Sequence, residues 1–220
     1  MTAPTDRTRL RRMADKAAYD LPTIHAILDA MPLAHVGYVM KGAPVVIPTL
    51  QWRQGDRIYW HGSSGSRSLK AGKGAQVCIT VTLTDGLVLA RSGFEHSVNH
   101  RSVMVFGRAE PVRDPAAKIR HFEAMIDSLF PGRWPDLRPI TAQEVKATAL
   151  LSLPLTEASA KIATHAPGST DPEADRSWPV WAGVLPVSFA MGAPIPAPDL
   201  APDMPLPDHV IQYRFGQKPG

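Results

Sequence analysis

The sequence predicts a mainly β (α+β) protein, in which antiparallel strands form a barrel with a few flanking helices. Residues 76–84, QVCITVTLT, alternate apolar and polar side chains, which is the period of a half-buried strand. Asp85-Gly86 follows directly and is the strongest short hairpin signal in the chain. Six or more strand-like runs, most of them joined by short turns and with few helical segments between them, favour an antiparallel barrel.

The N-terminal part predicts two helices before the first strand. Residues 5–18 are mostly polar and predict a short helix. A second helix begins near Asp20, a suitable N-cap, with Pro22 in its first turn. Its apolar face consists of Leu21, Ile24, Ile27 and Leu28.

Strands follow this second helix. Residues 33–40 and 44–52 flank the turn Lys41-Gly42, and residues 57–62 come after a turn at 54–56. Beyond the Asp85-Gly86 signal, residues 87–93 and 101–112 continue the meander. We therefore expect mostly hairpin connections in this half of the chain.

The C-terminal half begins with a helix at Asp114-Pro115 and ends in a proline-rich segment. The helix ends near Pro131-Gly132, and residues 147–155 and 178–189 predict late strands. Residues 163–177 are a polar loop, and proline crowds the chain from Gly192 onward. We predict one domain over residues 1–191 and an extended tail over residues 192–220. The apolar face of the helix consists of Ile119, Phe122, Ile126, Leu129 and Phe130.

Composition excludes several classes of protein. The only cysteine, Cys78, excludes an intrachain disulfide and a cysteine-rich zinc site. The first twenty residues show no apolar stretch behind the arginines, as a signal peptide would, and no run of 18 apolar residues occurs in the sequence. We therefore expect a cytoplasmic protein that does not enter a membrane. The net charge is +4, but no basic stripe continues through the domain, so we expect no nucleic-acid partner. The basic residues cluster near the N-terminus at Arg7, Arg9, Arg11 and Arg12.

Residues 59–76, YWHGSSGSRSLKAGKGAQ, have the composition of an anion site. A strand ends at His61-Gly62, and a loop of serine and glycine follows. Arg67 and Lys70 then stand three residues apart at the start of a short predicted helix. Free backbone N–H groups, hydroxyl donors and two cations together suit a phosphate. A solvated loop with surface cations is the alternative interpretation.

Residues 90–107, ARSGFEHSVNHRSVMVFG, place many polar groups between two strands. Polar groups beside a core are costly unless they find partners. A large polar ligand would provide those partners. The polar residues are Arg91, Ser92, His96, Ser97, Asn99, Arg101 and Ser102.

Other chemistries fit the sequence less well. His96 and His100 have an H-x3-H spacing, with His35 and His61 also available, but zinc sites of that spacing usually lie on a helix. We therefore expect no metal site, while a haem with a histidine ligand stays an alternative. No G-x-S-x-G element marks a hydrolase nucleophile.

Several long motifs resemble one known family. HVGYVMKGAPVVIPT, IYWHGSSGSRSLKA, VCITVTLTDGLVLARSGFEHSVNHRSVMVFG, PGRWPDLRP, EASAK and PVWAGVLP are similar to the pyridoxamine 5'-phosphate oxidase-related, FMN-binding split-barrel proteins. More narrowly, they resemble the flavin-nucleotide-binding branch that includes nitroimidazole-resistance proteins. The resemblance covers about residues 7–187. It implies a split β-barrel homodimer with FMN at the interface, in contact with both chains.

The resemblance also implies the residues that would line the site. The strand segment 47–49 would run along the flavin ring, followed by residues 61–63. Ser66, Arg67 and Lys70 would hold the phosphate, and the polar residues between 97 and 102 would complete the pocket. Trp181 would cover the ring, and His61 is the best candidate for a catalytic residue. The full implied set is Ile47, Pro48, Thr49, His61, Gly62, Ser63, Ser66, Arg67, Lys70, Ser97, Asn99, Arg101, Ser102 and Trp181.

The chain departs from the branch pattern at three places. Val98-Asn99-His100 replaces a common Met-Asn-Tyr, Glu95 replaces the first histidine of a His-His-Ser motif, and Ala163 replaces the arginine of a Lys-x-Arg. The resemblance implies an FMN-dependent oxidoreductase acting on a small molecule, with nitroaromatic reduction as one option. A non-catalytic carrier of flavin or haem is the alternative, and FAD or haem is favoured less than FMN.

Overall fold

The structure is a computed structural model that describes residues 4–66, 74–201 and 203–214. These residues form ten strands, four α-helices and several single turns of 3-10 helix. The helices are α1 (Leu21–Ala30), α2 (Pro115–Leu129), α3 (Ala142–Ala147) and α4 (Asp208–Ile211). The strands are β1 (Ala17–Ala18), β2 (Leu33–Met40), β3 (Ala43–Gln54), β4 (Arg57–Ser63), β5 (Gln76–Leu89), β6 (Ser97–Arg108), β7 (Glu110–Val112), β8 (Thr148–Pro154), β9 (Ala158–Ala163) and β10 (Gly183–Pro186).

All ten strands belong to one antiparallel sheet. Their order is β1-β9-β6-β5-β2-β3-β4-β8-β7, and β10 pairs with β5 outside this path. The inward side chains of the sheet form the main core, which includes Trp60, Val81, Val103 and Leu153. This arrangement confirms the predicted antiparallel, mainly β class.

Helix α1 lies against the core of the barrel. The Asp20 carboxylate accepts a hydrogen bond from the Thr23 N–H at 2.9 Å, which caps the first turn. Ile24 and Leu28 are fully buried. At the other end, the buried Gln51 amide donates to the carbonyls of Leu28 and Met31, both at 2.6 Å. Side chains from β3 therefore satisfy the end of α1 and fix the helix to the sheet.

The outer surface of the barrel has one covered half and one uncovered half. Helix α2 covers the first half, where Trp52, Tyr59 and Leu150 form a second buried cluster. On the other half, outward side chains of β2, β3, β5 and β6 remain exposed to solvent in the protomer. We call this surface the open face; its large apolar residues are Leu33, Val39, Val46, Leu50 and Met104, which are 38–66% exposed.

The hairpin predicted at Asp85-Gly86 is wrong. β5 runs without a break from Gln76 to Leu89, and its pairing with β6 only shifts register between Thr84 and Gly86. This irregularity is a β-bulge, which inserts a residue without turning the chain. A Cβ on Gly86 would lie 3.0 Å from Val184 Cγ1. The glycine therefore permits the close approach of β10 rather than a turn.

Two further predictions differ from the structure at the chain's ends. Residues 5–18 form a turn, a 3-10 turn at Ala14–Lys16 and strand β1, where Ala17 pairs with Lys161, instead of a helix. In residues 178–189 only Gly183–Pro186 is a strand.

Helix α3 and strand β9 were not predicted, because these short, alanine-containing segments show no clear period. The turn at Lys41-Gly42 is confirmed, with φ of 51° and 82°.

The last described part of the chain contains little regular structure. Helix α4 is the one element beyond residue 192 in the described ranges. The division into a domain and a tail at residues 191 and 192 stays a prediction. In the parts of the chain that the structure describes, no helix has the length and apolar character needed to cross a membrane.

Candidate functional site

The predicted site residues fall into two groups in different parts of the sheet. The first group lies on β3 and at the end of β4 (residues 47–49 and 61–66), and the second lies on β6 (residues 97–102). In the sheet order, β5 and β2 separate β6 from β3. Three strand spacings correspond to about 14 Å. One protomer therefore presents the two groups as separate surfaces.

The loop after β4 forms a compact turn that is held by serines. The Gly65 N–H donates to Ser63 Oγ at 3.2 Å, and the Ser66 N–H donates to the Ser63 carbonyl at 2.9 Å. The Ser64 N–H donates to the Ala147 carbonyl at 2.7 Å, which ties the turn to α3. Arg67 and Lys70, the two cations predicted to hold a phosphate, lie outside the described residues.

The segment 47–49 of β3 faces both sides of the sheet. Ile47 is half-buried and packs against the main core. Pro48 points to the open face, opposite His35 in the register of β2 and β3. The Thr49 hydroxyl donates to the Leu50 carbonyl at 3.4 Å. A ligand on the open face would therefore meet Pro48 directly.

His61 lies under helix α2, away from the open face. Its ring centre is 5.9 Å from that of Trp52 and 5.5 Å from that of Phe122, which meets it edge-on at 86°. Its Nδ1 is buried and has no hydrogen-bond partner in the described ranges. Burial lowers the pKa of His61 below its ordinary value of 6.5. The catalytic role of this residue stays a prediction.

We expect His61 to make the protein less stable as the pH falls. Its pKa is lower in the folded state, so below about pH 6.5 the unfolded chain binds a proton that the folded chain does not. Stability from this group is therefore full above that pH and is lost on acidification. Urea unfolding at about pH 7.5 and about pH 5.5 should show a smaller loss for His61→Phe than for the native chain. Equal losses would contradict this assignment.

On β6, Asn99 and Arg101 make strong contacts within the protomer. The buried Asn99 side chain accepts from the His165 N–H at 2.7 Å and donates to the His165 carbonyl at 3.1 Å. Arg101 makes a two-point ion pair with Asp85, at 2.9 and 2.7 Å. This hydrogen bonding to Asp85 raises the pKa of the Arg101 guanidinium. Both residues therefore position neighbouring chain segments, and Asp85 compensates the charge of Arg101.

Basic side chains from distant segments lie near His100, together with the Asp85 carboxylate, and the sequence did not predict this group. Burial lowers the pKa of His100, and the charge of Lys161 lowers it further. Lys16 Nζ lies 2.9 Å from His165 Nε2. His100 Nδ1 is buried and has no partner among the described residues. We call Lys16, His100, Lys161 and His165 the basic cluster; β6 pairing with β9 places Ser102 opposite Lys161.

The basic cluster could not be found from the sequence because its members come from distant segments. Lys16 belongs to the turn before β1, and His165 follows β9. The pairing of β1 with β9 brings these segments together. Because residues 5–18 were predicted to form a helix, strand β1 and its pairing with β9 were not predicted.

Trp181 lies beside β10. Its side chain is 61% exposed in the protomer. A Cβ on Gly183 would come within 2.8 Å of the Trp181 ring, so the absence of that atom gives the ring its place. The exposed face of this ring is accessible to a ligand or to a partner chain. The role of Trp181 in covering a flavin ring stays a prediction.

The fold places the protein in a class of small antiparallel split barrels that includes flavin-binding proteins. The sequence profile of the family described as pyridoxamine 5'-phosphate oxidase matches residues 20–162. The chain therefore belongs to this family. No curated protein matches the chain.

Two solved structures resemble the protein along nearly its full length. The flavocytochrome Anf3 from Azotobacter vinelandii is 48% identical, with a TM-score of 0.92, covering 98% of this chain and 100% of that chain. The FAD and haem binding protein from Mycobacterium smegmatis is 37% identical, with a TM-score of 0.86, covering 93% and 100%. A 5-nitroimidazole antibiotic resistance protein from Bacteroides thetaiotaomicron is 21% identical, covers 66% of this chain and 86% of that chain, and has a TM-score of 0.54. This last likeness concerns the fold alone.

Proposed function

We propose that the protein is a flavocytochrome that binds FAD and haem. The observation that carries this proposal is the similarity to two relatives, of which one is a flavocytochrome and the other binds FAD and haem. Both similarities extend over more than nine-tenths of the chain. The sequence resemblance by itself favours FMN. We propose FAD instead, because the relative with a named flavin binds FAD.

The charged residues of the chain suit a flavin with two phosphates. The sequence supplies one pair of cations, Arg67 and Lys70, after the serine loop. The basic cluster supplies a second group of donors beside Ser102. The buried, unpartnered His100 Nδ1 is a polar atom that a polar ligand would satisfy. Within the basic cluster the charge is carried by Lys16 and Lys161, since the pKa values of His100 and His165 are lowered. A second pair of cations suits the second phosphate of a dinucleotide.

We further propose that two copies of the chain form a homodimer through the open face. Its exposed apolar side chains lie on β2, β3 and β6, and Leu33 and Leu50 are paired across β2 and β3, as expected for an interface. The strands that carry Pro48 and the β6 group, β3 and β6, are three strand spacings apart in one protomer, about 14 Å along the sheet. A second copy related by two-fold symmetry would bring its β6 group toward the β3 and β4 group of the first. FAD would then lie between the protomers.

The two cofactors define what the protein would do. A flavin exchanges electrons in pairs or singly and a haem iron exchanges them singly, so a chain with both can link two kinds of electron partner. The protein's own part is to exclude water at the open face and to hold the negative charges of the nucleotide with its cations. Oxidation or reduction of a small molecule is the enzyme form of this proposal, and a carrier without turnover is its alternative.

An absorption spectrum of the purified, desalted protein tests the proposal. We expect flavin bands that bleach on anaerobic reduction, together with a haem Soret band. Chromatography of the nucleotide released by heat distinguishes FAD from FMN. A spectrum with flavin bands alone would contradict the proposed haem, and release of FMN would contradict the proposed FAD. A protein that binds neither added flavin nor added hemin would overturn the whole proposal.

A further inference from the structure

We infer that His96 is an axial ligand of the haem iron, and that the macrocycle lies on an exposed apolar patch beside it. This inference rests on the proposed binding of haem. It goes further in assigning the iron to one side chain and the porphyrin to one surface of this chain.

The hydrogen bonding of His96 is that of a histidine prepared to bind a metal. Its Nδ1 lies 2.9 Å from the Ser92 carbonyl oxygen, which can only accept a hydrogen bond. Nδ1 therefore carries the proton, and Nε2 presents its lone pair. No residue in the described ranges hydrogen-bonds this Nε2, and the side chain is exposed. Metal-binding histidines commonly donate their second ring nitrogen to a carbonyl in this way.

The other histidines are less suited to this role. Both ring nitrogens of His165 have partners, and His209 Nε2 lies 3.0 Å from Arg133. His61 packs against Trp52 and Phe122, and the Nδ1 atoms of His61 and His100 are buried. His121 Nδ1 contacts Gln54, and His25 Nε2 lies 3.1 Å from the Asp56 carboxylate. His35 is exposed, but no hydrogen bond within the described residues orients its ring.

An exposed apolar patch adjoins His96. Phe94, two residues earlier, is 88% exposed, which is unusual for a phenylalanine without a partner. Val98, two residues later, is 40% exposed and pairs with Leu87 on β5, which pairs in turn with Leu185 on β10. Leu87 and Leu185 are 45% and 48% exposed. These side chains form an apolar row across three strands, which suits the flat, apolar face of a porphyrin.

The loop that carries His96 is anchored on both sides. At its start, Asp171 accepts from the Arg91 N–H at 2.7 Å and from the Arg91 guanidinium at 2.6 Å, and the Asp171 side chain is fully buried. After the loop, Asn99 holds His165 as described above. The segment between β9 and β10 thus fixes both ends of the loop. A ligand on a fixed loop keeps its geometry before the metal arrives, which favours binding.

Hemin titration of the protein tests the inference, with His96→Ala, the competing candidate His35→Ala, and a matched control, His25→Ala, which lies on α1 outside the open face. We expect His96→Ala to bind hemin at least about 10-fold more weakly. Removing a residue that only hydrogen-bonds a metal ligand already weakens metal binding about 10-fold or more, and removing the ligand itself should cost no less. Its Soret band should shift, and added imidazole should restore the native position. His25→Ala should bind hemin as the native chain does. Circular dichroism verifies that each variant is folded.

The outcomes separate this inference from the proposed function. A native Soret band and native affinity in His96→Ala would overturn the assignment of His96 and leave haem binding intact. Loss of hemin binding in His35→Ala, with His96→Ala unaffected, would move the iron to His35 on β2 and overturn the inference. If the native chain retains flavin but does not bind hemin, the haem part of the proposed function and this inference both fall.

Discussion

Val46→Asp is expected to convert the proposed homodimer into monomers. Val46 is 66% exposed in the protomer and lies on the open face, opposite Gly37 in the pairing of β2 and β3. In the dimer, an aspartate there would be buried without a partner. An unpaired charge buried in this way costs several kcal/mol. We expect dimer dissociation to become at least about 100-fold more favourable, which corresponds to about 3 kcal/mol.

Sedimentation equilibrium of the native chain, Val46→Asp and a matched Val46→Thr variant measures this effect. Threonine keeps the shape of valine without adding a charge, so Val46→Thr should remain largely dimeric. Since Val46 is exposed in the protomer, monomeric Val46→Asp should keep its circular dichroism spectrum. If FAD binds between protomers, the monomer should also lose flavin. A Val46→Asp protein that remains dimeric would mean that the interface lies elsewhere.

Gly107→Ala is expected to lower the free energy of unfolding by about 3 kcal/mol. Gly107 has a φ of 156°, which side chains rarely adopt. A Cβ there would also lie 2.8 Å from Leu153 Cδ1, in the main core. Backbone strain and overpacking therefore act in the same direction.

Urea unfolding of a double-mutant cycle separates these two causes. Leu153→Val removes the atom that the new Cβ would meet, so it should recover part of the loss when combined with Gly107→Ala. The expected coupling is about 1–2 kcal/mol. Gly93→Ala is the control, because a Cβ on Gly93 would meet nothing within 4 Å. A Gly107→Ala protein as stable as the native chain would show that β6 can shift at this position.

The starts of helices α1 and α2 could be predicted from the sequence, because residues at each start determine them. Asp20 and Pro22 begin α1, and Asp114 caps α2 by accepting from the Ala117 N–H at 2.8 Å. The Asp85-Gly86 pair misled because the same residues suit a turn and a bulge. What decides between them is β10, whose close approach to Gly86 depends on residues about a hundred positions away.

The candidate site was predicted in part for the same reason. Polar residues in the loop after β4 and along β6 were recognisable because they interrupt strand patterns. The contacts of those residues could not be predicted from the sequence. Asn99 hydrogen-bonds His165, far along the chain, and Arg101 pairs with Asp85 across an irregular strand pairing. The choice between FMN and FAD depends on the surroundings of the phosphates, and only the tertiary arrangement revealed Lys16 beside His165.

The pairing of β1 with β9 has a consequence for how the chain folds during synthesis. Ala17 leaves the ribosome long before its partner, Lys161. The pairing of β4 with β8 is likewise possible only after β8 has been synthesised. Until then, β6 and β4 present unpaired edges, which are prone to join other chains. A nascent chain arrested before Ala158 should therefore need a chaperone, while the 220-residue chain should refold slowly, as sheets with distant strand pairs do.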